Sequence, residues 1–198
     1  MQERAETQKT ADAQLADLLT GIAIEASAAI LAVDFRNADV RRKADDSAVT
    51  LADDAAQRVI LDELTRLVPG TPVVSEEARC DWQGGDAPAE FLLVDPLDGT
   101  AEFVAGRLEY TVNIALVRNG TPVVGVVAAP ALGLIWRGAT DYGAERLRFS
   151  PGDKAGKTPR ATAIHTRPWP DDEPVAAALE ALRGKAESVR ILGSYPLI

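Results

Sequence analysis

The sequence predicts an α+β protein in which long helices lie on an antiparallel sheet. Three observations lead there. Two long stretches near the N-terminus carry apolar residues at helical spacing, and a series of short apolar runs follows them. Between two of those runs stands Asn119-Gly120, a strong hairpin signal. Helices first and a meander of strands afterwards give layered α+β packing.

The elements follow in order. Residues 11–33 place Leu15, Leu18, Leu19, Ile22 and Ile30 at helical spacing on an alanine-rich background. Residues 52–68 repeat the pattern with Val59, Ile60, Leu64 and Leu67, and Pro69-Gly70 ends it. Ahead of that second helix, Thr50 and Asp53 have the spacing of a capping box. Strands are expected over 72–75, 91–94, 110–118 and 122–129, the last two antiparallel about Asn119-Gly120, with another over 132–138. Gly84-Gly85-Asp86-Ala87-Pro88 reads as a loop, and residues 150–160, rich in Gly, Pro and Lys, as a linker or long surface turn. Beyond it, residues 161–165, a helix near 173–182 and a strand over 188–192 would begin a second α/β unit. The expected organisation is thus one domain over 1–150, then a linker and the start of a second domain over 151–198.

With 198 residues, 46% of them hydrophobic, the chain can bury a substantial core. A net charge of −9 argues against sequence-independent binding to nucleic acid and against an anionic membrane surface. Cys80 is alone, so no intramolecular disulfide framework exists, which fits a reducing cytoplasm. The N-terminus, Met1-Gln2-Glu3-Arg4-Ala5-Glu6, lacks the basic-then-apolar pattern of a signal peptide. No continuous apolar run approaches the roughly 20 residues that cross a bilayer, so neither membrane insertion nor an address outside the cytoplasm is expected.

The chemistry concentrates in Val94-Asp95-Pro96-Leu97-Asp98-Gly99-Thr100-Ala101-Glu102-Phe103, at the end of the apolar run Phe91-Leu92-Leu93-Val94. A buried strand ending this way can present both aspartates and the intervening carbonyl to one point. Hard divalent cations bind such oxygen clusters, and a glycine-opened helix start beside them suits phosphate. The bland alternative is a strand, a proline turn and a helix cap. Two carboxylates flanking Pro96-Leu97 weigh against it, because like charges so close need a cation or hydrogen bonds. An aspartyl-phosphate phosphatase would need a nucleophilic Asp where Pro96 stands, and an EF-hand counted from Asp95 would close on Gly106 instead of Glu. Thr71-Pro72-Val73-Val74-Ser75-Glu76-Glu77 is a second strand ending in acids, and Lys43-Ala44-Asp45-Asp46-Ser47 a polar loop leading to Thr50 and Asp53.

In this order the three acidic clusters resemble the lithium-sensitive, magnesium-dependent phosphatases related to inositol monophosphatase, and within them the 3'(2'),5'-bisphosphate nucleotidase branch. The resemblance runs from about Lys43 to Ala131 and includes Glu109-Tyr110-Thr111-Val112-Asn113-Ile114-Ala115-Leu116 and Gly125-Val126-Val127-Ala128-Ala129-Pro130-Ala131. It implies an α/β/α/β layered sandwich and a metal-binding phosphatase domain over 1–150. Glu76, Asp95 and Asp98 would be carboxylate ligands of Mg²⁺, with Leu97 adding its carbonyl. Asp53 and Thr100 would orient and deprotonate the attacking water. The N–H groups of Gly99 and Thr100 would hold phosphate, and Lys43 would contact it from the loop. The partner would be a phosphorylated small molecule, and the assembly a homodimer.

The departures bear on specificity. Ala101 stands where many nucleotidases have Lys, and Gly106-Arg107-Leu108 replaces the usual Asn-Gly ahead of Glu109. The family's C-terminal half supplies a Trp-Asp metal ligand, whereas Trp82, Trp136 and Trp169 here precede Gln83, Arg137 and Pro170. The implied activity is removal of the 3'-phosphate of adenosine 3',5'-bisphosphate. An inositol monophosphatase or fructose-1,6-bisphosphatase-like activity is the alternative, as is a shortened, inactive paralogue that binds only metal or phosphate. His165 and Trp169 read as structural, and Arg167 as a faint echo of a substrate-site element.

Overall fold

The computed structural model describes residues 2–42, 48–77, 88–140, 142–150 and 162–165. Helix α1 spans Gln2–Leu31, and a single 3₁₀ turn follows at Phe35–Asn37. The short strands β1 (Arg41–Arg42) and β2 (Ala48–Val49) pair antiparallel and lead into helix α2, Leu51–Leu67. Strand β3 is Val73–Ser75, β4 is Glu90–Asp98, and a one-turn helix α3 spans Thr100–Val104. Then come β5 (Thr111–Arg118), β6 (Thr121–Ala129), β7 (Leu134–Ala139), β8 (Gly143–Arg148) and β9 (Thr162–His165).

Strands β3 to β9 form one seven-stranded sheet in sequence order. The β3–β4 pair is parallel and every later pair antiparallel, giving the expected meander. The hairpin between β5 and β6 turns at Asn119 (φ 51°) and Gly120 (φ 76°), both left-handed as a type I′ turn demands. β9, on the far side of the expected boundary at 150, pairs with β8 as the edge strand of this same sheet. The helix and strand expected over 173–182 and 188–192, and the linker and loop expected over 151–160 and 84–87, lie outside the described residues.

α1 and α2 pack against each other, α1 across β5, β6 and β7 and α2 on β4. Their buried residues Leu19, Ile22, Ile30, Ile60 and Leu64 meet Leu92, Val94, Val112, Ile114, Val126 and Ile135 of the sheet. Strand β4 is buried on its other face too, where Phe91 and Leu93 join Val74 and Val117. A strand enclosed on both faces reads as a continuous apolar run, which is why Phe91-Leu92-Leu93-Val94 shows no alternation.

Helix α1 begins nine residues before its apolar stripe, in a polar stretch whose residues 6–10 are exposed. The stretch Glu6–Leu31 is long and apolar enough to cross a membrane by length and composition, which corrects the sequence expectation that nothing here would be. Alanine-rich turns make the helix apolar on average without a continuous apolar run. Half of its most apolar 18-residue segment is buried inside the fold, against the sheet. Its polar groups are tied down: Thr20 and Ser27 donate to the carbonyls of Ala16 and Ala23, both at 2.6 Å. Asp12 accepts two hydrogen bonds from Arg118 of β5, at 3.0 and 3.1 Å. Strand β8 was not expected; Gly-Ala-Glu-Arg-Leu-Arg buries only Leu147 and is held by pairing with β7.

Candidate functional site

β4 does not stop at Val94 but runs through Asp95, Pro96 and Leu97 to Asp98. In a regular strand, residues three apart point to opposite faces. Here Asp95 pairs with Asn113 and Asp98 with Thr111, so three steps along β4 match two along β5. That extra residue is a bulge; it resets the alternation and gives Pro96, which cannot donate to a ladder, a place in the sheet. The result is visible in Asn113: it lies opposite Asp95, yet its Nδ2 donates to Asp98 Oδ2 at 3.2 Å.

Gly99 turns the chain from β4 into α3. Its φ of 92° is left-handed, and a Cβ there would lie 2.9 Å from the Glu109 carbonyl oxygen. Glycine is therefore required twice, by conformation and by space. Phe103 and Tyr110, both buried, meet edge to face with centroids 5.4 Å apart and fix the other side of the turn. Thr100, the first residue of α3, points its hydroxyl at Asp53 Oδ1 (3.0 Å), with the Leu97 carbonyl at 3.2 Å as a second acceptor.

Asp53 is fully buried near the start of α2, where the capping box expected from sequence is present. Its Oδ2 accepts from the Thr50 N–H (2.8 Å) and the Thr50 hydroxyl (2.7 Å), while the Ala52 N–H donates to Thr50 Oγ1 (3.1 Å). Two loci far apart in sequence, Thr50–Asp53 and Leu97–Thr100, thus share one hydrogen-bonded cluster. One turn further along α2, Gln57 Oε1 accepts the Ser75 hydroxyl at 2.6 Å, fastening the end of β3. Parallel pairing sets Ser75 beside Val94, and the Glu76 N–H donates to the Val94 carbonyl at 3.1 Å.

Glu76 therefore emerges beside the strand that ends in Asp95 and Asp98, with its side chain exposed. Asp98 also reaches solvent, but the protein around it withdraws enough water to push its carboxyl above the usual range. The Asn113 hydrogen bond works against that shift, and the charges of Glu76 and Glu102 add to it. Asp95 is buried. Among the described residues, no three acidic side chains stand close enough to enclose an ion. Of the residues singled out from sequence, Asp53, Leu97 and Thr100 are in direct contact, and Asp98 feels the charge of Glu76. Gly99 occupies the turn, and Lys43 lies outside the described residues. Sequence reasoning missed Asn113, Gln57 and Ser75 as supports, since an amide or hydroxyl inside an element carries no signal until register is known.

The donor set suits a hard divalent cation. It offers carboxylate, carbonyl and hydroxyl oxygens only, and the unfavourable charge on Asp98 is what a cation would relieve. Magnesium takes one or two carboxylates and keeps several waters, so an open acidic strand end fits it better than a closed cage would.

A bulged strand end, a left-handed glycine and a hydrogen-bonded Asp–Thr pair define an α+β protein with carboxylate, carbonyl and hydroxyl oxygens at the C-terminal end of β4. The chain belongs to the inositol monophosphatase family, whose model matches residues 11–196. Over 101 residues it is 48% identical to the 3'(2'),5'-bisphosphate nucleotidase CysQ of Escherichia coli K12, covering 51% of this chain and 41% of that protein. The CysQ of Haemophilus influenzae is 33% identical over 136 residues, covering 65% and 47%. The matched stretches span less than half the length of these curated relatives. Among solved structures, CysQ from Bacteroides thetaiotaomicron superposes with a TM-score of 0.58 at 26% identity, covering 87% of this chain and 69% of that one. The suhB protein of Bartonella henselae gives 0.60 at 27%, covering 67% and 52%. The layered α+β fold is that of the family.

Proposed function

We propose that the chain is the metal-binding portion of a Mg²⁺-dependent phosphomonoesterase that removes the 3'-phosphate of adenosine 3',5'-bisphosphate. The hydrogen bond from the Thr100 hydroxyl to Asp53 carries the reading. A buried carboxylate that already accepts two bonds from Thr50 has its remaining oxygen against the Thr100 hydroxyl, which opens the helix after the acidic end of β4. The Thr100 proton turned toward Asp53 leaves the Thr100 oxygen lone pairs to accept a hydrogen bond from water. A proton leaving that water then has a path through Thr100 to Asp53, which is general-base work. Glu76, Asp95, Asp98 and the Leu97 carbonyl are the residues that would hold magnesium. When bound, the ion supplies Lewis acidity: it makes water more acidic and neutralises phosphate charge. The N–H groups at Gly99 and Thr100, with Lys43, are the phosphate contacts in this reading.

The nucleotidase names of the relatives support this substrate over inositol phosphates or fructose 1,6-bisphosphate. A cytoplasmic, homodimeric enzyme acting on a small phosphorylated molecule, not on nucleic acid, completes the proposal. The test is phosphate release with Mg²⁺ from adenosine 3',5'-bisphosphate, inositol 1-phosphate and fructose 1,6-bisphosphate, with and without Li⁺. The expected outcome is preference for the nucleotide, inhibition by Li⁺, and a loss of about 10²–10⁴-fold in kcat for Thr100→Val. Equal turnover by Thr100→Val would overturn the assigned roles. Mg²⁺ binding with no turnover of any substrate would assign the chain to the inactive, metal-binding class instead.

A further inference from the structure

Asn113 has no part in the catalytic, metal-ligand or phosphate roles proposed so far, yet its side chain directly touches a candidate ligand carboxylate from the neighbouring strand. It is buried in the middle of β5, with only 6% of its surface exposed. An amide is costly there unless it is hydrogen-bonded. The apolar residues that fill β5 around it, Val112, Ile114, Ala115 and Leu116, show what the position would hold on packing grounds alone. Its Nδ2 donates to Oδ2 of Asp98 at 3.2 Å. The bulge makes this contact, because it brings Asp98 back within reach of a residue whose backbone partner is Asp95.

A carboxylate can offer a cation one oxygen or both. Calcium accepts either mode in a flexible shell of six to eight oxygens, whereas magnesium demands a near-octahedral arrangement and one oxygen from each group. A donor fixed on Oδ2 engages one of the two oxygens of Asp98 and leaves Oδ1 for the ion. We propose that Asn113 is a positioning residue that holds Asp98 to one-oxygen coordination and so makes the site discriminate magnesium from larger divalent cations. The inference rests on the reading of Asp98 as a metal ligand and deepens it by naming what sets ion preference. Neighbouring groups that support a metal ligand alter metal affinity by roughly 10–100-fold when removed.

The experiment is calorimetric titration of the whole 198-residue chain with MgCl₂ and separately with CaCl₂, for wild type, Asn113→Leu, Asn113→Ala and Asp95→Asn. Leu keeps the branched outline of Asn, slightly enlarged, without the donor, and Ala removes both the outline and the donor. Melting in EDTA reports folding without metal. The expected result is a loss of about tenfold or more in Mg²⁺ affinity for both Asn113 variants, with Ca²⁺ affinity held or increased. A merely structural role would lower both affinities together, and that outcome overturns the proposal. Unchanged Mg²⁺ affinity in the Asn113 variants, alongside loss of binding in Asp95→Asn, also overturns it while leaving the metal site intact. No Mg²⁺ binding by wild type overturns both this inference and the reading beneath it. If Asn113→Leu melts early in EDTA, the ratio of the two affinities in Asn113→Ala decides, because the ratio cancels a common loss of folded protein.

Discussion

Replacing Gly99 by alanine tests whether the turn into α3 is as tightly enclosed as the structure shows. Two separate terms oppose the change. The first is conformational: a left-handed φ of 92° costs an L-residue about 1–2 kcal/mol. The second is steric: the new Cβ would lie 2.9 Å from a backbone oxygen and 3.2 Å from the Tyr110 Cα, neither of which can swing aside as a side chain would. Forcing atoms into packed surroundings costs about 1–3 kcal/mol. Loss of freedom in the unfolded chain returns about 0.4–1 kcal/mol. The net cost is therefore roughly 1–4.5 kcal/mol, or a fall in Tm of about 2–18 °C for a chain of this size. Gly70 is the internal control, since its φ of 87° is nearly the same but nothing lies within 4 Å of its Cβ position. Gly70→Ala should show the conformational term alone, roughly 0–1.5 kcal/mol. Thermal melting of both variants under identical conditions separates the terms. A Gly99→Ala melt no lower than that of Gly70→Ala would refute the close approach of Glu109 and Tyr110, and with it the reason given for glycine at this turn.

Two further outcomes follow from the hydrogen bonds. Burial alone would raise the Asp12 carboxyl, but hydrogen bonds from Arg118 and Gln8 and the Arg118 charge more than reverse this and hold it below its ordinary value. A carboxyl lowered by folding stabilises the protein above its unfolded pKa of about 3.9 and loses that contribution as pH falls through the folded value. Asp12→Asn should therefore cost about 1.5–3 kcal/mol in urea melts at pH 7, with the gap to wild type closing below about pH 4; a gap independent of pH would contradict the assignment. In a double-mutant cycle, Ser75→Ala and Gln57→Leu should couple by about 1 kcal/mol in stability, the worth of one hydrogen bond. Strictly additive effects would mean the 2.6 Å contact between them contributes nothing.

Much of the architecture was legible because its signals are long or rigid. α2 sustains its apolar period over seventeen residues and carries its own cap and stop. Asn119-Gly120 specifies a turn whose two left-handed residues few other pairs accept. β8 was not legible, since Gly143 to Arg148 has neither alternation nor a run, and its pairing with β7 decides its conformation. The first nine residues of α1 were not legible either: they are helical without an apolar stripe, so periodicity has nothing to report. In the site, acids at strand ends could be found from spacing. Asn113 could not, because its importance depends on a bulge that shifts Asp98 by one position against β5. Asp95 and Asp98 three residues apart would face opposite sides of an unbulged strand, so their spacing points to a shared site only once the bulge is known.

Asp53 shows why two readings of one residue need not compete. From sequence it is either the return half of a capping box or a group of the reaction centre, and each reading accounts for its position. The carboxylate has two oxygens, so the cap and the proposed role can each take one. Oδ2 is fixed by the two Thr50 donors, which anchors the first turn of α2, and Oδ1 receives Thr100. The cap therefore immobilises the carboxylate that Thr100 meets, and in the proposed role a base already held in place would lose little entropy in acting. Gln57 stands four residues on, so it lies on the same face of the helix, and it takes the Ser75 hydroxyl beside Glu76. One face of α2 thus holds two neighbouring elements, the start of α3 through Asp53 and the end of β3 through Gln57. A helix whose first turn frayed would loosen both at once, and the buried Thr50–Asp53 cap is what prevents that.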